Sequence, residues 1–245
     1  YTGTSSVSKL LNANTTYYYR IRAYWIAPDG TKIYGQYSSW VSCKTPSLPA
    51  APTGVVVTAT DTTTLKIKWN AVAGATGYKV MRATSPGGTY TTLGTTTKLE
   101  MTNKITAGTM YYYKVVAYRS GSGTTEYGKE SSVVTGFIPK APSGLKVTGS
   151  SRNSISLSWN KITTSAGEGQ IFYEVFRMPK RDAARPYTCI GIYDQNRTYN
   201  TSYNLAANTT YYYCIRAYYR YTDSNGTTRR IYSDYSTIIS GTTKK

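Results

Sequence analysis

Residues 65–70, LKIKWN, carry the alternation from which the fold can be predicted. The apolar members Leu65, Ile67 and Trp69 alternate with polar ones, and this period of two is typical of a strand with one buried face. Residues 155–160 repeat the pattern as ISLSWN, 90 positions further on. A strand that returns at this distance indicates two units of similar size, each built around its own copy.

Two more blocks repeat in the same order along the chain. APTGV at residues 51–55 returns as APSGL at residues 141–145, again 90 positions later. A tyrosine-rich block occurs three times, at residues 14–23, 108–117 and 208–217. Because the blocks keep their order, we predict tandem β-sandwich modules with no helix. The predicted division is the second half of a module at 1–47, a whole module at 48–138, and a whole module with a basic insertion at 139–245.

The tyrosine-rich block predicts one strand per copy. Its inward-facing side chains in the first copy are expected to be Tyr17, Tyr19, Ile21 and Ala23. Each copy is followed by residues that accept the positive φ angles of tight β turns. These predicted turns are Asp29-Gly30, Gly121-Ser122-Gly123 and Asn225-Gly226.

The repeated elements together resemble the fibronectin type III family. They are the Pro-x-Gly opening, the Trp-bearing strand, a Tyr-x-Val strand at Tyr78 and Tyr173, and the block Leu-x5-Tyr-x-Tyr-x-Ile/Val-x-Ala. The resemblance implies seven-stranded, immunoglobulin-like sandwiches. It also implies buried Trp69 and Trp159, and a corner tyrosine at Tyr17, Tyr111 and Tyr211. The Tyr-rich, Thr-rich style is similar to arrays in surface or secreted proteins of Gram-positive anaerobic bacteria, so we expect an extracellular or cell-surface location.

Residues 1–47 lack the Pro-x-Gly opening, the Trp strand and the Tyr-x-Val strand. One interpretation is that the chain is part of a longer array, whose other modules are its partners. The other is a native N-terminus at Tyr1, which leaves a half-sandwich that borrows strands from a neighbouring chain, because open sheet edges invite pairing. We favour the first interpretation. Self-association stays open under the second.

The composition argues against catalysis and cofactor binding. The chain has no histidine, so Ser-His and Cys-His nucleophile pairs cannot form within it. Its carboxylates are scattered, and Glu168 and Glu174 are the closest pair in the last module to weigh as an acid and a base. Three cysteines without a pairing motif predict neither a disulfide framework nor a metal site. We predict no enzyme, no cofactor, no metal and no membrane span.

A net charge of +18 predicts attraction to polyanions such as anionic glycans or cell-wall polymers. Two candidate surfaces carry this charge, and either could instead be a stabilised sheet face or a solvated loop. The first is the outward row of the tyrosine-rich strand: Tyr18, Arg20, Arg22, Tyr24, Tyr212, Arg216 and Tyr218. The second is the basic insertion of the last module with the strand opposite: Lys180, Arg181, Arg185, Arg229 and Arg230. No nucleic acid is expected, because the aromatics follow the spacing of the fold.

Three functions are compatible with this pattern. The leading hypothesis is a non-catalytic structural or adhesive array that is displayed outside the cell or assembles into fibres. The first alternative is a set of spacer modules in a secreted glycan-degrading enzyme. The second is a binding module for anionic glycan or cell-wall polymer. Fold alone does not decide among them.

Overall fold

A computed structural model describes residues 5–8, 11–121, 123–163, 170–180, 187–223 and 225–245. Every regular element within these ranges is a β-strand, as the alternating sequence patterns predict. The prediction of an all-β fold is therefore confirmed. No helix of the described ranges has the length and apolar character that a membrane span requires.

The first four strands form two paired ribbons, which we call the N-terminal hairpins. They are β1 (Thr16–Tyr19), β2 (Arg22–Ile26), β3 (Lys32–Tyr37) and β4 (Val41–Lys44). Strand β1 pairs with β4, and β2 pairs with β3, both antiparallel. No second sheet within residues 5–8 and 11–44 covers them. The expected inward position Ile21 is consequently 77% exposed, Ala23 is exposed, and Tyr17 and Tyr19 are only half-buried.

The middle sandwich has two facing sheets. One contains β5 (Val56–Ala59), β6 (Thr64–Lys68) and β9 (Glu100–Lys104), in that order. The other has the order β11-β10-β7-β8, and β12 also pairs with β10. Its strands are β7 (Gly77–Ala83), β8 (Thr91–Thr96), β10 (Tyr111–Gly121), β11 (Thr124–Glu130) and β12 (Val134–Gly136).

The C-terminal sandwich repeats this topology strand for strand. Its smaller sheet contains β13 (Lys146–Ser150), β14 (Ile155–Ser158) and β17 (Tyr199–Ser202). Its larger sheet has the order β16-β15-β18-β19, and β20 also pairs with β18. Those strands are β15 (Gln170–Met178), β16 (Thr188–Asp194), β18 (Thr210–Thr222), β19 (Thr228–Tyr235) and β20 (Ile239–Thr242).

Each sandwich core is built around the tryptophan of the repeated LKIKWN or ISLSWN strand. Trp69 packs against Tyr78 with ring centroids 5.4 Å apart, and Trp159 packs against Tyr173 at 5.6 Å. Both indoles are buried. The hydroxyl of Tyr173 accepts a hydrogen bond from the backbone N–H of Ile162 at 2.7 Å, so the ring is buried while its polar tip keeps a partner.

The Pro-x-Gly and Trp-Asn motifs repeat together because they meet in space. Gly54 and Gly144 have φ angles of +62° and +67°, which favour glycine. A Cβ on either glycine would also collide with the side-chain amide of Asn70 or Asn160. The glycine thus satisfies a backbone requirement and a packing requirement at the same residue.

The tyrosine-rich strands carry the same corner in all three copies. The hydroxyl of each corner tyrosine accepts a hydrogen bond from a backbone N–H five residues upstream. The pairs are Tyr17 with Asn12 at 2.8 Å, Tyr111 with Thr106 at 3.4 Å, and Tyr211 with Ala206 at 3.0 Å. Tyr111 is buried, whereas Tyr17 and Tyr211 are half-buried. The corner fixes how the chain enters the strand, and it forms even where no opposite sheet is present.

The middle and C-terminal sandwiches share a packed junction. Ile231 of β19 is buried in the core cluster of the middle sandwich, together with Val55 and Val57. The Tyr221 hydroxyl donates a hydrogen bond to the backbone oxygen of Val57. Phe137 packs edge-on against Tyr219 at 5.2 Å. Apolar packing of this kind restricts the relative motion of the two sandwiches.

Candidate interaction surface

The N-terminal hairpins present an alternation of cations and aromatic rings, which we call the N-terminal ladder. The Arg20 guanidinium lies 3.8 Å from the centroid of the Tyr37 ring and 4.4 Å from that of Trp40. The Arg22 guanidinium lies 3.7 Å from the centroid of Tyr34. Strand pairing produces this order, because Arg22 is opposite Tyr37 in the register of β2 and β3. Such contacts are worth roughly 0.5–1 kcal/mol each at exposed positions.

The predicted residues of the first surface occupy this ladder or its edge. Arg20 and Arg22 are ladder members, and Tyr24 continues it through a ring contact of 5.8 Å with Tyr34. The Lys32 ammonium lies 4.8 Å from the Tyr24 ring centroid. Tyr18 lies on β1 and is exposed. The outward row is therefore accessible in the N-terminal hairpins.

The C-terminal sandwich builds a larger ladder on the outer face of its β16-β15-β18-β19 sheet. Phe172 stacks on Tyr218 with centroids 5.1 Å apart and planes 10° apart. The Arg216 guanidinium lies 4.0 Å from the Tyr232 ring, and Arg230 lies 4.9 Å from the Tyr218 ring. Three neighbouring strands contribute, so the contacts join them across the sheet.

The expectation that Tyr212, Arg216 and Tyr218 form an open surface needs correction. Tyr218 is only 3% exposed, and Tyr212 and Arg216 are half-buried. The reason is that β18 is a central strand, so side chains of β15 and β19 close over it from both sides. A long aromatic neighbour such as Phe172 shields what a simple alternation pattern would leave in solvent.

Arg216 is held by an ion pair with Glu174. Its Nε and Nη2 atoms donate to the same carboxylate oxygen of Glu174 at 3.1 and 2.5 Å. The Glu174 side chain is almost fully buried. A buried carboxylate needs such a partner, and the pair joins β15 to β18. Because the Glu174 carboxylate already binds Arg216, it is poorly suited to act as an acid or a base. Glu168 lies outside the described residues.

The middle sandwich has a smaller ladder at the matching positions: Tyr118 contacts Tyr127 edge-on at 5.7 Å, and the Lys79 ammonium lies 4.2 Å from the Tyr127 ring centroid. Val116 replaces the arginine and is buried. Lys114 instead donates to Glu130 at 2.7 Å and lies 4.4 Å from the Tyr90 ring centroid. The hydrogen bond to Glu130 raises the pKa of the Lys114 ammonium. An ion pair thus takes the place of part of the aromatic ladder on this sheet.

The second predicted surface is only partly described. Arg181 and Arg185 lie outside the described residues, and Lys180 is exposed at the end of β15. Arg229 donates through Nε to the Asp223 carboxylate at 2.5 Å, and this hydrogen bond lowers the pKa of Asp223. Arg230 belongs to the ladder on the sheet. Arg229 and Arg230 thus have different partners, the Asp223 carboxylate and the Tyr218 ring respectively.

The cysteines and carboxylates offer no metal centre in the part of the chain that the structure describes. Cys189 and Cys214 are each opposite Phe176, in β16 and β18 respectively, so one strand separates them. Two strand spacings amount to about 10 Å, which is beyond disulfide reach. Cys43 is exposed on β4.

Sequence reasoning missed one exposed aromatic pair, Tyr199 and Tyr203, at the edge strand β17 of the C-terminal sandwich. Both tyrosines flank an alternation in which Asn200 and Ser202 are buried. That alternation was the available signal. It was overlooked because it is short and lies outside the repeated blocks.

Both whole sandwiches have the same strand layout and the same anchoring residues. In the usual letters of this fold, the middle sandwich has β5 as strand A, β6 as B, β7 as C, β8 as C′, β9 as E and β10 as F, while β11 and β12 together form G. Strands A, B and E form one sheet, and strands G, F, C and C′ form the other. A buried tryptophan closes strand B, and a corner tyrosine begins strand F. The fold is the fibronectin type III sandwich, in tandem.

The amino-acid sequence of this tandem is similar to parts of two larger proteins. It is 30% identical over 260 residues to Exoglucanase B of Cellulomonas fimi, covering 99% of this chain and 22% of that protein. It is 37% identical over 86 residues to the poly(3-hydroxybutyrate) depolymerase of Ralstonia pickettii, covering 35% of this chain and 17% of that protein. The chain thus spans about a fifth of the length of the curated relatives it matches.

Among solved structures, the chicken CNTN1 FN1-FN3 domains align with 92% of this chain and 78% of that one, at 21% identity and a TM-score of 0.42. No family model matches the sequence.

Proposed function

We propose that this tandem supplies non-catalytic spacer modules of a secreted, polymer-degrading enzyme. The observation that carries the proposal is the alignment of 99% of the chain with a stretch of Exoglucanase B. A shorter match to a poly(3-hydroxybutyrate) depolymerase supports the same class, an enzyme acting on a polymer. The spacer alternative of the sequence analysis therefore takes the place of the adhesive hypothesis as the favoured function.

The connections between the sandwiches suit a spacer, which must keep the domains on either side of it at a fixed distance from each other. Ile231 and Tyr221 tie the C-terminal sandwich to the middle one through apolar packing and a hydrogen bond. The linker at residues 46–52 contains three prolines, which favour an extended backbone. Arg119 of the middle sandwich also donates to the backbone oxygen of Ser47 in this linker at 3.1 Å. Both connections are thus stiffer than a glycine-rich linker of the same length.

The test compares two forms of the complete polypeptide that contains this chain. In one form, residues 48–245 are replaced by a flexible Gly/Ser linker. We expect hydrolysis of a soluble substrate to stay unchanged, while hydrolysis of the insoluble polymer falls several-fold, because only the solid substrate requires a fixed reach. A complete polypeptide without a hydrolase domain would contradict the proposal, as would a replacement that leaves hydrolysis of the insoluble polymer unchanged.

A structural or adhesive array is the second candidate, and one observation favours it. The N-terminal hairpins expose an apolar face that includes Ile21, Trp25 and Ile33. Contiguous exposed apolar residues commonly mark interaction sites. Electron microscopy of the concentrated protein tests this candidate: filaments would support it, and isolated rods would count against it.

A further inference from the structure

The C-terminal sandwich exposes two tyrosine side chains along its edge strand β17, one on the strand and one directly after it. Tyr199 is 61% exposed and Tyr203 is 65% exposed. Among the described aromatic residues of the two sandwiches, the next most exposed is Tyr127 at 44%, and it is engaged by Tyr118 and Lys79. Tyr199 also has a cation neighbour, Arg197 at 5.0 Å, but both tyrosine side chains remain more than half exposed, as an accessible binding surface requires.

The exposed positions follow the alternation of the strand. Asn200 and Ser202 are buried, so Tyr199 and Thr201 of β17 point outward, and the exposed Tyr203, the residue directly after the strand, continues this alternation. Four residues along a strand span about 13 Å. The two rings are therefore separated by a length that suits several units of a linear polymer.

The surface between the rings is lined by hydroxyl groups. Ser158 is opposite Tyr199, and Ser156 is opposite Thr201, in the register of β14 and β17. The Ser156 and Thr201 hydroxyl oxygens are 3.1 Å apart. Each hydroxyl is both a donor and an acceptor, so this strip can bind the hydroxyls of a sugar chain.

Two arginines hold the tyrosine backbone in place. Arg197 donates through Nε to the backbone oxygen of Tyr199 at 3.3 Å, and its guanidinium lies 5.0 Å from that ring centroid. Arg177 donates to the Ser202 hydroxyl at 3.1 Å and to the backbone oxygen of Tyr203 at 3.4 Å. A surface fixed before binding loses less entropy when a ligand arrives.

The same face of the middle sandwich is built differently. Its register places Glu100 and Lys104 where the C-terminal sandwich has Tyr199 and Tyr203. Glu100 forms ion pairs with Lys68 at 3.3 Å and with Lys66 at 3.6 Å. The fold therefore does not require aromatic residues at these positions, and one chain contains both an ion-paired face and an aromatic one.

We infer that this face binds a linear, uncharged glucan along strand β17, with sugar rings stacked on Tyr199 and Tyr203. A pyranose presents C–H groups on its flat side, and these are attracted to the electron-rich face of an aromatic ring. The intervening serine and threonine hydroxyls match the sugar hydroxyls, whereas an anionic polymer would favour a row of unpaired cations. The choice of glucan rests on the proposed function, through the exoglucanase relative.

The experiment measures adsorption of the whole 245-residue chain to microcrystalline cellulose and its retardation in gels that contain soluble mixed-linkage β-glucan. The test variant is Tyr199→Ala/Tyr203→Ala, and thermal unfolding checks that it folds. Two control variants are compared with it. Glu100→Ala/Lys104→Ala alters the matching positions of the middle sandwich, and Tyr127→Ala removes another exposed ring. We expect tenfold or greater loss of binding in the test variant alone, with little dependence on salt.

Three results would overturn the inference. They are failure of the unaltered chain to bind either glucan, equal binding by the double variant, and retention only on an acidic polysaccharide with steep loss in salt. The last result would instead support the anionic-polymer prediction. None of these results bears on the spacer role, because that role is measured by hydrolysis rates of the complete polypeptide.

Discussion

Replacing Ile231 with alanine should loosen the middle sandwich, although Ile231 belongs to the C-terminal one. Its side chain is buried among Val55, Val57 and neighbouring core residues of the middle sandwich. Removing a buried Ile side chain in this way costs 2–5 kcal/mol in general. Ile231 lies at the junction of two sandwiches and not at the centre of one core, so we expect about 2 kcal/mol, the lower end of the range.

Amide hydrogen exchange, followed peptide by peptide with mass spectrometry, separates the two sandwiches. Because the junction couples them, part of the lost free energy should appear in the middle sandwich, as in other tandem arrays. A full 2 kcal/mol corresponds to about 30-fold faster exchange of the most protected amides. We expect this acceleration in β5 and β10 as well as in β18.

The control is Ile192→Ala, which removes the same side chain from an exposed position of β16. Its effect should stay within about 0.5 kcal/mol. If Ile231→Ala accelerates exchange in the C-terminal sandwich but leaves the middle one unchanged, the junction carries no coupling free energy. The two sandwiches would then be free to move independently, which contradicts a stiff spacer.

Two further predictions concern buried polar groups. Glu174→Gln should destabilise the chain by about 2 kcal/mol in urea unfolding, because Arg216 loses its charged partner, whereas Glu130→Gln should cost under about 0.5 kcal/mol since the Lys114 pair is more exposed. Burial raises the pKa of Tyr113 to about 12, above its ordinary value of 10.0. The stabilisation from this neutral phenol is complete below pH 10 and is lost as the pH rises through 12, so Tyr113→Phe should reduce the alkaline fall in unfolding free energy by roughly 2–3 kcal/mol.

The sequence predicted the fold because burial on one face of a strand leaves a visible period of two. Leu65, Ile67 and Trp69 could be assigned to a core without coordinates, and the 90-residue repeat gave the number of whole sandwiches. The exposure of the outward residues was not predictable in the same way. Tyr24 and Tyr218 hold equivalent positions, yet only Tyr24 is accessible, because the strands beside Tyr218 carry aromatic side chains that cover it.

A tandem of β-sandwiches could be predicted from the amino-acid sequence alone, since local alternation and repeated motifs encode it residue by residue. Which side chains are accessible to a binding partner could be learned only from the tertiary structure. The partners of Arg216 and the open face at Tyr199 and Tyr203 depend on strands that are distant in sequence and adjacent only after folding. Strand pairing sets those neighbours, and neighbours decide whether a tyrosine supports the sheet or meets the solvent.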